Sequence, residues 1–311
     1  MNKDKKVCVL VYNPNSGRSL RTKHLKVYKK LLIKYGYTPK IIGTQYRGHA
    51  KEIVNHLEKV ALVISMGGDG TFNEIMAGNL ERRERLVLAH VPVGTTNDVG
   101  VMFGYGKDTK ENLIQLLNGV IKKMDIGVIN GHPFVYVAGF GKFMQISYET
   151  PRKLKKKLGH AAYLIEGVKD FFRSTKLYKL TYRVEGTEKT GNYSFMLISN
   201  ANRIAGINNF YKDVKLDDDK FEVLFCSFKK RTDIIKTLGK IAVSDISKIS
   251  GIEFYKTNKL EIEFDTYPKK GWCIDGEKLE RAVLKYEIRN ERGVEIMMPK
   301  KNVKRNFIEE S

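Results

Sequence analysis

An apolar run, Val60 to Ile64, passes almost directly into Gly67-Gly68-Asp69-Gly70-Thr71-Phe72-Asn73-Glu74. The run reads as a buried strand. Three glycines in four positions remove side chains where a backbone turns tightly and comes close to something bulky. Thr71, Asn73 and Glu74 suit a helix start, and the exposed N–H groups of such a start attract phosphate. Asp69 is the odd member, because a carboxylate in a phosphate cradle repels the ligand unless a metal ion sits between them. The segment therefore suggests a site for a nucleotide with Mg²⁺. A strand-to-helix turn with a solvated Asp is the plainer reading of so short a motif.

The surroundings of this join decide how much weight it bears. Val7 to Tyr12, Pro39 to Gly43, Val60 to Ile64 and Leu86 to Val91 read as strands. Leu20 to Tyr35, Ala50 to Lys59 and Leu113 to Ile121 read as helices between or after them. Such alternation implies a largely parallel sheet covered on both faces, with ligands beyond the C-terminal ends of its strands. Asn13-Pro14-Asn15-Ser16-Gly17, Gly67 to Asn73 and Pro92 to Asp98 each follow a strand, so all three should gather at one edge. Beyond about Lys123 the texture becomes β-prone. Runs such as Phe134 to Ala138, Leu177 to Val184, Tyr193 to Ser199, Phe221 to Phe225, Lys259 to Phe264 and Ala282 to Ile288 are separated by turns. Helical stretches are expected near Ala161 to Phe172 and Asp233 to Val243. Val294 to Pro299 looks like a further strand returning to the first domain. The expected division is 1–126, joined by 293–311, and a β-rich domain over 127–292.

The 311 residues carry 56 Lys and Arg against 35 Asp and Glu, a formal charge of +21. That excess favours a polyanionic partner such as nucleic acid, an anionic membrane surface or nucleotide phosphates. Clusters stand at Arg152 to Lys157 and at Lys300, Lys301, Lys304 and Arg305. A solvated basic face is the alternative for each. No nucleic-acid recognition motif accompanies the charge, so no nucleic-acid partner is expected. No run approaches the length of a membrane span, and the basic N-terminus leads into a first strand. Cys8, Cys226 and Cys273 are widely spaced and fit a reducing compartment, which makes the cytoplasm the expected address. His24, His49, His56, His90, His132 and His160 show no metal-ligand spacing.

The ordered set Asn-Pro-Asn-Ser-Gly, Gly-Gly-Asp-Gly-Thr-Phe-Asn-Glu, Gly-Thr-Thr-Asn-Asp and, late in the chain, Asp275-Gly276-Glu277 resembles the bacterial diacylglycerol kinase and lipid kinase family, relatives of the eukaryotic diacylglycerol and sphingosine kinases. The resemblance implies an α/β fold: a Rossmann-like, phosphofructokinase-like nucleotide-binding domain followed by a β-sandwich that takes the lipid. It places ATP on Asn13, Pro14, Asn15, Ser16 and Gly17, on Thr44, on Gly67, Gly68, Asp69, Gly70, Thr71, Phe72 and Asn73, and on Thr95. It makes Asp69 the carboxylate acting through the catalytic Mg²⁺ and Asp98 a supporting acid. Glu277 becomes the general base, with Asp275 its partner or a metal ligand. Read without the family, Asp-Gly-Glu is an ordinary surface turn. A structural Mg²⁺ is implied on the Asp218 side chain and the carbonyls of Lys215 and Lys220. The family usually has glycine where this chain has Asp219. An Asp tolerates a left-handed backbone less freely than glycine, and an acidic solvated loop is the alternative. Trp272 beside the acidic turn reads either as lining a substrate path or as a core aromatic.

The implied reaction is transfer of the ATP γ-phosphoryl group to a lipid hydroxyl, most simply that of diacylglycerol, by an enzyme peripherally bound to an anionic membrane. A homodimer is common in that family. Two alternatives stand beside it. One is an NAD kinase-like enzyme, which shares a Gly-Gly-Asp-Gly-Thr loop. The other is a non-catalytic basic protein that binds anionic lipid.

Overall fold

A computed structural model describes residues 6–16, 22–94, 97–141, 176–201, 203–204, 207–208, 211, 214–229, 249–268, 271–279 and 282–308. The expected helices near 161–172 and 233–243 and the basic cluster at 152–157 lie outside the described residues. The chain divides into two compact units, 1–124 with 293–311, and 125–292.

In the first unit β1 (Lys6–Tyr12), α1 (Thr22–Lys34), β2 (Tyr37–Gly43), α2 (His49–Asn55), β3 (Leu62–Gly67), α3 (Asp69–Leu80), β4 (Leu88–Pro92), α4 (Asp98–Met102) and α5 (Thr109–Leu117) follow one another. The strands lie in the order β2-β1-β3-β4 and every pair is parallel. β3 and β4 are buried along their whole length, as parallel strands covered on both faces must be. Tyr12 stands level with Gly43 and Met66, and Gly67 with Pro92. The loops that follow the four strands therefore leave from one edge.

Sequence periodicity places the last helix of this unit too late. It runs over Thr109–Leu117, not 113–121, and a strand, β5 (Val120–Ile129), follows. Gly119 ends the helix because its backbone closes on the Met298 carbonyl, where an added Cβ would come within 2.1 Å.

The second unit is antiparallel. Its strands after β5 are β6 (His132–Phe134), β7 (Val137–Gly141), β8 (Tyr178–Val184), β9 (Thr187–Tyr193), β10 (Phe195–Ser199), the short β11 (Arg203–Ile204) and β12 (Ile207–Asn208), then β13 (Phe221–Cys226), β14 (Ile252–Thr257), β15 (Lys259–Phe264), β16 (Cys273–Ile274), β17 (Glu277–Lys278) and β18 (Lys285–Met298). One sheet pairs β9, β8, β15 and β18, and the other runs β14-β13-β10-β7-β16-β17. β8 alternates buried and open positions, the mark of a strand with one face on a core. Between the sheets, Tyr182 of β8 stacks on Phe225 of β13 with ring centroids 4.1 Å apart. Phe140 of β7 meets Tyr178 and Phe264 from the opposite sheet. Trp272 is fully buried among these aromatics, so it is a core residue and not part of a substrate path. The far face of β10 and β13 is covered in turn, by a second cluster holding Leu197, Tyr211, Leu224 and Ile249.

The two late strands expected at 282–288 and 294–299 are one element. β18 runs unbroken for 14 residues and passes from the second unit to the first at Gly293, whose φ of 72° suits glycine. Its first part pairs antiparallel with β15, while Ile296 and Met297 pair parallel with β4. A 3₁₀ turn (Lys300–Asn302) and α6 (Val303–Asn306) complete the return. Asn302 and Asn306 both donate to the Met102 carbonyl, at 3.0 and 2.9 Å, and Phe307 is buried. Lys300, Lys301, Lys304 and Arg305 remain exposed. All three cysteines are buried, and burial pushes the thiols of Cys8 and Cys226 up to about 12, which leaves them poor nucleophiles.

Candidate functional site

The edge of the parallel sheet collects the polar loops. After β1, the Asn13 side chain accepts the Asn15 amide at 2.8 Å and the Ser16 amide reaches the Asn13 carbonyl at 3.1 Å, while Pro14 and Asn15 are exposed. The Asn13 amide in turn donates to the Met66 carbonyl at 3.2 Å, tying this loop to β3. After β2, Thr44 donates its amide to the Tyr12 carbonyl at 2.9 Å. Gly17 and Thr95 lie outside the described residues.

The glycines of the central motif serve packing first. A Cβ on Gly67 would meet the Thr71 hydroxyl at 2.5 Å, and one on Gly94 would meet the Gly68 Cα at 2.8 Å. The loops after β3 and β4 thus touch backbone to backbone, an approach open only to residues without side chains. α3 begins at Asp69 behind Gly68, earlier than Thr71, Asn73 and Glu74 suggest, and no side chain caps it. Thr71 is tucked beneath Gly67, and Phe72 is fully buried. The Phe72 ring belongs to the core, packed on His90 and Phe103, which leaves only its backbone to face a ligand. Glu74 caps a different helix. Its carboxylate accepts the Gly48 amide at 2.9 Å and the Ala50 amide at 3.3 Å, pinning the turn that carries Thr44 and begins α2.

Asp69, the first residue of α3, accepts the Asp98 amide on Oδ2 at 2.9 Å. Two helices thus start side by side with a carboxylate at each origin. Asp69 Oδ1 lies 3.8 Å from Nε2 of His90, a fully buried residue of β4. Burial pushes the imidazole down to about 3, so this is a neutral ring beside a carboxylate and not an ion pair.

In the second unit Asp275 and Gly276 form a two-residue hairpin between β16 and β17, both with positive φ (47° and 86°). That is the backbone an Asp-Gly hairpin turn favours. Asp275 Oδ2 accepts the Val135 amide at 2.8 Å, and Oδ1 accepts those of Tyr136 and Val137 at 2.9 Å each. These bonds explain why the strand expected over 134–138 is interrupted between β6 and β7. Asp275 thereby ties its turn to the stretch between β6 and β7. Glu277, the next position along, is exposed.

The loop before β13 carries the implied structural metal residues. Asp219 adopts φ 61°, so it takes up a left-handed backbone, the conformation that glycine adopts most freely. Its amide donates to Asp125 Oδ2 at 2.7 Å, and its carboxylate meets Asn258, Asn290 and Arg292 at 3.3, 3.4 and 3.0 Å. Asp218 is half-buried, accepts the Lys220 amide at 3.1 Å and lies 3.8 Å from the Lys256 ammonium. Desolvation raises its carboxyl from the ordinary value, with Lys256 opposing. Glu222 lies behind, its carboxyl pushed up to about 7 by burial. Among the described residues no three His, Cys, Asp or Glu side chains could hold a metal ion together. A hard cation would therefore complete its shell with carbonyl, water or phosphate oxygens, which suits Mg²⁺. The carboxylate-and-carbonyl set of Asp218, Lys215 and Lys220 fits that chemistry, as does the Asp69 corner.

Sequence spacing passes over His90, Glu74 and Asp125. For two of them a usable signal exists, a titratable residue inside an apolar strand: Leu88-Ala89-His90-Val91 and Met124-Asp125-Ile126. Glu74 offers none, because its partners lie across a helix pair.

The family of the diacylglycerol kinase catalytic domain matches residues 7–129. Diacylglycerol kinase of Bacillus subtilis (strain 168) is 28% identical over 295 residues, spanning 94% of this chain and 96% of that protein. Diacylglycerol kinase of Staphylococcus aureus (strain NCTC 8325 / PS 47) is 34% identical over 218 residues, 69% of each chain. The crystal structure of a diacylglycerol kinase from Bacillus anthracis str. Sterne superposes with a TM-score of 0.77 over 97% of this chain and all of that one, at 22% identity. It shares the fold: a parallel α/β unit followed by an antiparallel β-rich one. By its matched catalytic domain and its overlap with these relatives, the chain belongs to the bacterial diacylglycerol kinase family.

Proposed function

We propose that the protein transfers the γ-phosphoryl group of ATP to the hydroxyl of a lipid alcohol, diacylglycerol first among candidates, giving phosphatidic acid. The observation that carries this reading is the glycine corner itself. Gly67, Gly68 and Gly94 clear side chains from the sheet edge at the point where α3 begins with Asp69. Phosphoryl transfer depends on positioning and on stabilising charge that spreads over the transferred oxygens. The loops of Asn13 to Ser16 and Gly67 to Asn73 offer backbone amides and a helix start to the phosphates. Asp69 would hold Mg²⁺ against them, with Asp98 supporting, and the ion when bound would neutralise charge on the phosphoryl oxygens. Glu277, exposed on its hairpin, would accept the proton of the lipid hydroxyl. Asp275 serves by aiming that hairpin. A structural Mg²⁺ on Lys215, Asp218 and Lys220 would steady the loop before β13.

A charge of +21 with four exposed cations over 300–305 supports peripheral attachment to anionic lipid, each cation near such a surface contributing on the order of 1 kcal/mol. Among the described residues no helix is long and apolar enough to cross a membrane. Radiolabelled ATP offered with diacylglycerol, other lipid alcohols and NAD side by side tests the assignment. Labelled lipid that disappears with Glu277→Ala supports it, and labelled NAD phosphate overturns it. Co-sedimentation with liposomes that ignores salt and anionic lipid content would overturn the membrane reading.

A further inference from the structure

His90 is a buried titratable group that the reaction above leaves unused. It stands in the middle of β4 with no exposure, its ring stacked on Phe72 at a centroid distance of 4.9 Å and 25° from parallel. Its register partner on β3 is Ser65, equally buried. Neither His90 nitrogen, nor the Ser65 hydroxyl, has a hydrogen-bond partner among the described residues. Unmade bonds on buried polar groups are a standing cost, and a leucine at this position would avoid it. The placement gives the cost a purpose. His90 Nε2 faces Asp69 Oδ1 at 3.8 Å, while the other carboxylate oxygen holds the Asp98 amide at 2.9 Å. A separation of 3.8 Å exceeds a hydrogen bond, but catalytic contacts are commonly long without ligand and tighten in the loaded enzyme.

We propose that His90 is a positioning residue for Asp69, its Nε2–H turning toward Oδ1 and fixing the carboxylate in the orientation that receives the nucleotide-bound cation. The Phe72 stack sets the plane of the ring, and the Asp98 amide restrains the opposite oxygen. Held from both sides, the carboxylate cannot swing about its own bond. Supporting hydrogen bonds of this kind tune metal-binding groups in general.

The inference rests on the kinase reading, and the experiment separates the two. In His90→Leu the melting temperature should hold or rise, since an unsatisfied buried group is gone. Its kcat should fall about 10- to 100-fold, the usual loss when the support of a metal-binding group is removed, and half-saturating Mg²⁺ should rise by a similar factor. His90→Gln, which returns an amide N–H near the Nε2 position, should restore most of the loss. Nitrogen NMR of the ligand-free protein should show the ring protonated on Nε2 alone. Native kcat and Mg²⁺ dependence in His90→Leu would overturn the proposal. So would a ring protonated on Nδ1, or activity and melting temperature falling together with no rescue by glutamine. A wild-type protein that phosphorylates no lipid would remove the kinase reading, while the NMR still decides the contact.

Discussion

Asp69 and Asp275 are both aspartates at a tight turn, one in each unit, and each accepts backbone N–H on its carboxylate. Asp275 accepts three successive amides, from Val135 to Val137, through both oxygens. Asp69 accepts the Asp98 amide on one oxygen and turns the other to a neutral histidine. The first arrangement consumes a carboxylate in shaping the chain. The second orients a carboxylate at the start of a helix, the place proposed for the ligand's cation. The same residue type thus acts as a structural clasp in one unit and as a candidate metal anchor in the other.

Charge removal without change of shape should separate them most sharply. Asp69→Asn is expected to lower kcat on the order of 10³-fold or more, the scale attached to one transition-state charge stabiliser. Its melting temperature should stay near the wild-type value. Near-native turnover would end the role assigned to Asp69. Glu277→Gln comes next, with a loss of about 10² to 10⁴ in kcat if it is the general base. An exposed side chain gives no reason for any thermal shift, so a destabilised Glu277→Gln would argue for a structural part instead. Asp275→Ala should invert this pattern. Orphaning three amides behind a nearly buried side chain should cost about 3 kcal/mol or more of stability, read by denaturant unfolding of the second unit. Activity would fall with it, as the hairpin loses its aim. A stable but inactive Asp275→Ala would place this residue among the catalytic groups.

The parallel unit was the more legible, and the reason is physical. Parallel strands buried on both faces leave unbroken apolar runs, and the glycine loops that follow them announce the edge where ligands bind. Boundaries failed where tertiary contact overrode local pattern. Gly119 stops α5 against the Met298 backbone, and the amides claimed by Asp275 split β6 from β7. β18 read as two strands because Gly293 interrupts its pattern without interrupting its pairing. At the site, motif order singled out Asp69 and the Asp-Gly-Glu turn. It could not reveal that Phe72 packs inward or that Glu74 caps α2, because both depend on which face of α3 meets its neighbours. Asp125 escaped for the same reason, since its partner Asp219 is 94 residues away.

The smallest expected effect concerns Asp219, a third aspartate at a turn, and it asks whether a carboxylate can be present for neither clasp nor ligand. Asp219→Gly keeps the amide that reaches Asp125 and removes the side-chain contacts with Asn258, Asn290 and Arg292. Arg292 is largely exposed, so its pairing should be worth no more than about 1 kcal/mol. Against that loss stands relief of the left-handed backbone at φ 61°, worth roughly 1 kcal/mol for a residue with a side chain. The two nearly cancel, and the unfolding free energy should move by less than about 1 kcal/mol. The comparison is best made in Mg²⁺ and again in chelator. An Asp219→Gly protein that loses stability in both would show the carboxylate to be a clasp like Asp275. One that gains stability only in Mg²⁺ would show that the acidic side chain had been straining the loop on which Lys215, Asp218 and Lys220 would hold the ion.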